Sequence, residues 1–257
     1  MSQKTSIAFC LVFLISCSLN GQSGTDEPVI YPGGISLEYG FGSYALKDNN
    51  ISPERYEGML PYYSLDWTRS HKKYVYKLGF YFSQSDDINN YDVSTRILNY
   101  KLSQGFLYPL KPFTIFNREL GLWIGPTTDI FYYDNNPEIA ASGFDFTNSY
   151  AALISLGFRG DAIYPISDRF SMKSTLQFSV ISLGIRTVDS VDDEQSGTKP
   201  LTFASGLNGS FNLGMHYNLF SWLSMGLSYR FELTRITAWE NMLSVTNSAV
   251  LGMYFRF

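Results

Sequence analysis

The 257-residue chain carries 19 basic and 23 acidic side chains, and its net charge of −4, with no basic patch, argues against nucleic acid as a partner. Its length admits one large all-β domain or two ordinary ones. Aromatic residues make up 17% of it, with 19 Tyr and 20 Phe, a composition that suits strands, tight turns and water–lipid boundaries.

Residues 1–22, MSQKTSIAFCLVFLISCSLNGQ, place Lys4 before an apolar run from Ile7 to Ile15. The run is too short for a membrane helix, which takes about 20 residues, so the segment reads as an export signal. The only cysteines, Cys10 and Cys17, lie inside it, so the mature chain has no disulfide. Leu14-Ile15-Ser16-Cys17 resembles a bacterial lipobox, in which the cysteine is acylated after cleavage. Cleavage between Gly21 and Gln22 is the competing reading, and a short Cys/Ser region ending before Gln resembles signal peptides of Bacteroidetes-type bacteria.

Residues 23–32 read as an exposed lead-in, and no composition shift marks a domain boundary from 33 to 257. Period-2 alternation, the mark of a strand with two unlike faces, begins at once. Ile35, Leu37, Tyr39 and Phe41 oppose Ser36, Glu38, Gly40 and Gly42. Met59, Tyr63, Leu65 and Trp67 oppose Ser64, Asp66 and Thr68, and Tyr76, Leu78, Phe80 and Phe82 oppose Lys77, Gly79 and Ser83. The pattern is poorer over 91–107, and Trp123 interrupts it over 114–133. It is clean again in four segments around 150–159, 170–180, 207–217 and 223–234. The last segment places Ala249, Leu251, Met253, Phe255 and Phe257 on one face. GFGSYA at 40–45 matches a loose dinucleotide-binding pattern, but alternation runs through it where a helix would be needed, so its glycines read as inward strand residues.

The expected connections alternate in length. Short ones fall at 70–73, 108–112, 164–169 and 218–222; longer polar ones fall at 47–57, 84–91, 133–148, 188–201 and 236–246. That is the rhythm of an up-and-down antiparallel barrel with tight turns at one rim. The expected strands run about 10–13 residues, whereas those of soluble proteins average about five or six. Their polar faces are rich in Gly, Ser, Thr and Asn, and aromatic residues crowd their ends. The apolar faces are therefore expected to meet lipid. The fold class is an all-β transmembrane β-barrel of about ten strands, with eight or twelve as the alternatives.

The terminus LGMYFRF, with Leu251, Met253, Phe255 and a final Phe257, resembles the C-terminal assembly signal of bacterial outer-membrane β-barrel proteins. The resemblance implies outer-membrane localisation, contact with outer-membrane lipid and lipopolysaccharide, passage by periplasmic chaperones, and insertion by the barrel-assembly machinery. It also implies that the last strand closes the barrel against the first.

Candidate chemistry is sparse. His216, in LGMHYNLF, is expected to point inward near the short-turn rim, as a lumen histidine or as the base of a hydrolase; no local motif pairs it with a nucleophile. His71 reads as a solvated turn residue. Asp189, Asp192, Asp193 and Glu194 form an acidic loop without EF-hand spacing, a solvated loop in the plain reading and a Ca²⁺ or cation-bridging site in the sharper one. Glu38, Asp66, Lys77, Arg96, Arg159, Lys173, Arg186, Arg230, Glu232 and Arg256 are expected inside, pairing across strands and blocking the lumen, since open channels appear only near 16 strands. No cofactor is expected. The leading expectation is a non-enzymatic membrane scaffold with ligand- or partner-binding outer loops, or a narrow small-solute conduit. The alternative is an outer-membrane hydrolase acting on lipid A, phospholipid or peptide through His216.

Overall fold

The computed structural model describes residues 31–49, 52–90, 93–138, 149–188, 197–239 and 241–257. Alternation becomes twelve strands: β1 (Gly34–Asp48), β2 (Ser52–Ser70), β3 (Val75–Asn90), β4 (Val93–Pro109), β5 (Phe113–Ile115), β6 (Arg118–Glu138), β7 (Ser149–Pro165), β8 (Phe170–Val188), β9 (Gly197–Thr202), β10 (Gly206–Asn218), β11 (Leu223–Ile236) and β12 (Met242–Arg256). Ten positions make the ring. β8 pairs β9 along its upper part and β10 along its lower part, so β9 and β10 act as one interrupted strand. β5 pairs only with the start of β6. β1 pairs β12 from Gly34↔Arg256 to Asp48↔Met242, and this seam closes an antiparallel ten-stranded β-barrel. Closure leaves no sheet edge, the condition for a β-structure whose outer face meets hydrocarbon.

The stagger of the ring can be read from the registers. Directly opposed residues run Met172–Met215–Leu227–Leu251–Tyr39–Tyr63–Phe82–Tyr100–Tyr132–Ala152 and return to β8 at Ile185. One circuit therefore climbs 185 − 172 = 13 positions along β8, one of them added by the bulge where Leu156 pairs Ile181 and Gly157 pairs Ser179. A stagger of this size goes with strongly tilted strands. The aromatic part of the row is in contact from strand to strand, with ring centroids 5.2 Å apart for Tyr39–Tyr63, 5.3 Å for Phe82–Tyr100 and 6.2 Å for Tyr100–Tyr132.

The outward face is apolar over the lower two thirds of the wall. Leu156, Leu227 and Leu251 are each 59% exposed, and their outward neighbours are of the same kind. A contiguous belt of this extent is not kept in water by a soluble monomer; it is covered by lipid. Inside the belt the side chains are Ser, Thr, Asn, Gln and charged groups, many of them buried.

Above the belt the polarity inverts. On β2, Arg55 and Glu57 face out and pair at 2.6 Å, while Tyr56 and Leu60 face in and are buried. Leu46, Ile88, Ile97, Tyr133, Leu153, Leu201, Ile236 and Met242 join them in one enclosed apolar cluster, with Trp239 packed against it. This part of the wall is built like a water-soluble β-barrel, greasy inside and charged outside. A smaller cluster of Tyr31, Val75, Leu107 and Trp123 packs on one side of the lower end.

Several expectations change. Residues 47–57 and 84–91 are mostly strand, because β2 starts at Ser52 and β3 runs to Asn90; the apolar upper core rewards extending the ladder beyond the lipid. Arg96 points outward, to Asp86 at 3.6 Å, because Thr95 and Ile97 take the inward positions. The β4–β6 connection does not turn at 108–112. It continues as a small hairpin through β5 to Phe116 and Asn117, whose φ values of 47° and 62° form the two-residue turn whose twist suits a hairpin. Tyr31, expected in an exposed lead-in, is buried within the barrel. The ladder ends at Arg256, and Phe257 lies beyond it with its side chain 80% exposed.

Candidate functional site

The middle of the lumen is a layer of charge held by facing strands. β7 brings Arg159 and Asp161 to the same face two residues apart, and β3 brings Lys77 opposite them. Asp161 accepts from Lys77 Nζ at 2.7 Å and Arg159 Nε at 2.8 Å, and from the hydroxyl of Tyr31. All of these groups are buried, so the desolvation cost of each charge is offset by its opposite and by added hydrogen bonds. Tyr31 also packs edge-on against Trp123, with centroids 4.9 Å apart, which joins this node to the lower apolar cluster.

Other nodes repeat the logic. Arg230 NH2 donates to Glu232 at 2.6 Å on β11, and its guanidinium lies over the Tyr62 and Tyr81 rings at 4.5 and 4.8 Å. Gln177 donates to both oxygens of Asp129 at 2.7 Å, with Lys101 at 3.9 Å. Tyr254 donates to Glu38 at 2.8 Å and Tyr81 to Asp66 at 2.9 Å. Arg186 pairs with Asp48 at full burial near the upper ends of β8 and β1, beside the upper core. Asp48, Lys101, Asp129, Asp161 and Tyr31 were not among the expected interior groups. Asp161 is legible, since it shares a face with Arg159 at an i, i+2 spacing; Asp48 is hidden as long as 47–57 reads as a loop.

His216 does face inward on β10, buried, opposite Ser171 of β8. Its ring packs on Tyr254 at 4.5 Å and sits over Gly226, where an added Cβ would lie 3.0 Å from Nδ1. Lys173 and Arg256 line the same cavity as His216. His71 stacks on Tyr74 in the β2–β3 turn, in solvent. The acidic positions Asp189, Asp192, Asp193 and Glu194, and the segment with Cys10 and Cys17, lie outside the described residues. Among the described residues no group of three or more His, Cys, Asp or Glu side chains is placed to hold a metal. Of the C-terminal positions, Leu251 and Met253 face outward in the belt, and Phe255 stacks on Trp222 at 6.4 Å.

No family model matches the sequence, and no curated protein matches it. Among solved structures the chain is similar to the outer-membrane protease OmpT from Escherichia coli, with a TM-score of 0.56 and 8% identity over 91% of this chain and 100% of that one. It also matches the translocator domain of the autotransporter NalP from Neisseria meningitidis, with a TM-score of 0.48 and 11% identity over 99% and 96% of the two chains. The transport unit of the autotransporter AIDA-I from Escherichia coli matches with a TM-score of 0.40 and 10% identity over 95% and 97%. At this identity the likeness to OmpT is one of fold: a closed barrel of the outer-membrane type.

Proposed function

We propose that this chain is an exported outer-membrane protein whose barrel serves as a binding scaffold rather than a conduit or a hydrolase. In this reading the short turns and the two ends of the ladder, Gly34 and Arg256, face the periplasm, and the upper rim faces outward. One observation carries it: above the lipid belt the inside-out polarity reverses, and an enclosed apolar core fills the wall. A head of this kind is rigid and water-compatible, and it presents its loops on a fixed frame. The same core lies across the route that a solute would take. The hydrolase alternative finds little support, because the buried His216 ring is packed on Tyr254 and over Gly226.

The test is single-channel recording with the full mature chain in planar bilayers, where no stable conductance steps are expected. A reproducible unit conductance would overturn the filled-scaffold reading. In parallel, His216→Ala is expected to leave lipid A acylation and surface proteolysis unchanged; loss of either would restore the hydrolase.

A further inference from the structure

Below the charged layer, a cavity of about 70 Å³ opens at the lower rim, and one of about 50 Å³ continues it inward. Ser36, Thr68, Lys173, His216 and Tyr254 line both, so the two form one vestibule. A water needs roughly 10–15 Å³ of such space, so the outer chamber has room for a small hydrated or bare anion.

The outer chamber is lined by Lys173 and Arg256 and by no carboxylate, whereas Glu38 and Asp66 line the inner one. Asp161, Asp129 and Glu232 are taken by basic groups, and Glu38 and Asp66 accept from tyrosine hydroxyls. Lys173 instead stands between the rings of Tyr31 and Tyr254, at 5.6 and 6.0 Å from their centroids. Arg256 NH2 donates to the uncharged Asn218 Oδ1 at 2.7 Å. Among the described residues no carboxylate lies within ion-pair distance of either cation. Both line the same chamber as the buried imidazole of His216. An anion held in this chamber would be attracted by both cations and could take hydrogen bonds from them.

We propose that this vestibule binds a small soluble oxyanion of phosphate size. Lys173 and Arg256 supply the charge, the hydroxyls of Ser36 and Ser171 donate at its edge, and His216 and Tyr254 form the wall. The barrel wall separates the chamber from the lipid, which favours a dissolved ion over a phospholipid headgroup. The site stands whether or not the outer loops bind a partner.

The full mature chain, refolded in a non-ionic detergent without phospholipid or chloride, is titrated with inorganic phosphate by calorimetry. Saturable one-to-one binding is expected. Lys173→Gln and Arg256→Gln are each expected to weaken it about tenfold or more, the worth of a charge-assisted hydrogen bond. Ser171→Glu, which places a carboxylate at the chamber edge, is expected to abolish it. The folded state of each variant is followed by its heat-modifiable gel mobility. Absence of saturable binding, or unchanged affinity in folded variants, overturns the proposal. Short-chain phosphatidylglycerol added to the same micelles is expected to leave phosphate binding unchanged; displacement by the lipid would overturn the assignment to a soluble ion.

Discussion

At the scale of single residues, Asp161 is the group on which most of the lower lumen depends. It is fully enclosed and satisfies Lys77, Arg159 and Tyr31 at once. Asp161→Ala removes the one anion and leaves two buried cations facing each other. Removing one member of a buried ion pair costs about 3–5 kcal/mol, and that loss is expected in urea-driven unfolding from detergent or lipid vesicles. Tyr31→Phe keeps the ring against Trp123 and deletes two hydrogen bonds, the one donated to Asp161 and the one accepted from Lys77, so a smaller loss of about 1–3 kcal/mol is expected in the same assay. A Tyr31 that lay outside the barrel would show no effect. Phe116 shows a different local compromise: it takes a left-handed turn position that favours Gly, Asn or Asp, while its side chain is 92% exposed.

At the scale of a strand, the finding is that the apolar face changes sides along its length. The inversion makes opposite predictions for the two parts of the wall. Leu227 lies near the middle of the outward apolar run of β11, from Leu223 to Leu233. Leu227→Arg is expected to destabilise the lipid-inserted barrel by about 2–4 kcal/mol, because the charge would sit in hydrocarbon. In the upper wall the inward residue matters instead: Leu46→Ala is expected to cost about 2–5 kcal/mol by opening a void in the core. Its outward neighbour, Lys47→Ala, is expected to stay within about 0.5 kcal/mol. Equilibrium refolding into vesicles checks all three. The C-terminal strand separates folding from delivery. Because Phe257 lies past the last ladder pair and is exposed, Phe257→Ser is expected to leave refolding in vitro unchanged while lowering the amount assembled in cell envelopes. Equal loss in both assays would mean that the residue acts through stability, not through recognition.

At the scale of the molecule, ten tilted strands enclose a space that side chains can fill, and here they fill it in layers: apolar below, charged in the middle, apolar above. The layers are linked, since Tyr31 belongs to the lower cluster and to the Asp161 node, and Arg186–Asp48 lies beside the upper core. The orientation has a direct test. Epitope tags inserted within 139–148 are expected to bind antibody on intact cells, whereas tags in the 166–169 turn are expected to bind only after the envelope is opened. The reverse result would place the head in the periplasm.

Much of this was legible from residues alone. The outward positions of β1, β2, β3, β10, β11 and β12, the near-regular alternation of connections, and the inward aim of Lys77, Arg159, Arg230 and His216 all follow from period 2, which assigns each side chain to a face as soon as one neighbour is assigned. Periodicity says which residues share a face, but not what covers that face. Lys47 to Glu57 reads as a polar loop until the apolar upper core shows that Leu46, Tyr56 and Leu60 face inward, and the bulge in β8 shifts a register that no local pattern reveals. Alternation, a local property, was enough to assign most side chains to a face and the chain to the barrel class. How far the wall rises beyond the lipid, which acid meets which base, and that Lys173 and Arg256 line one chamber follow from the stagger that brings distant strands to the same height, which no local pattern records.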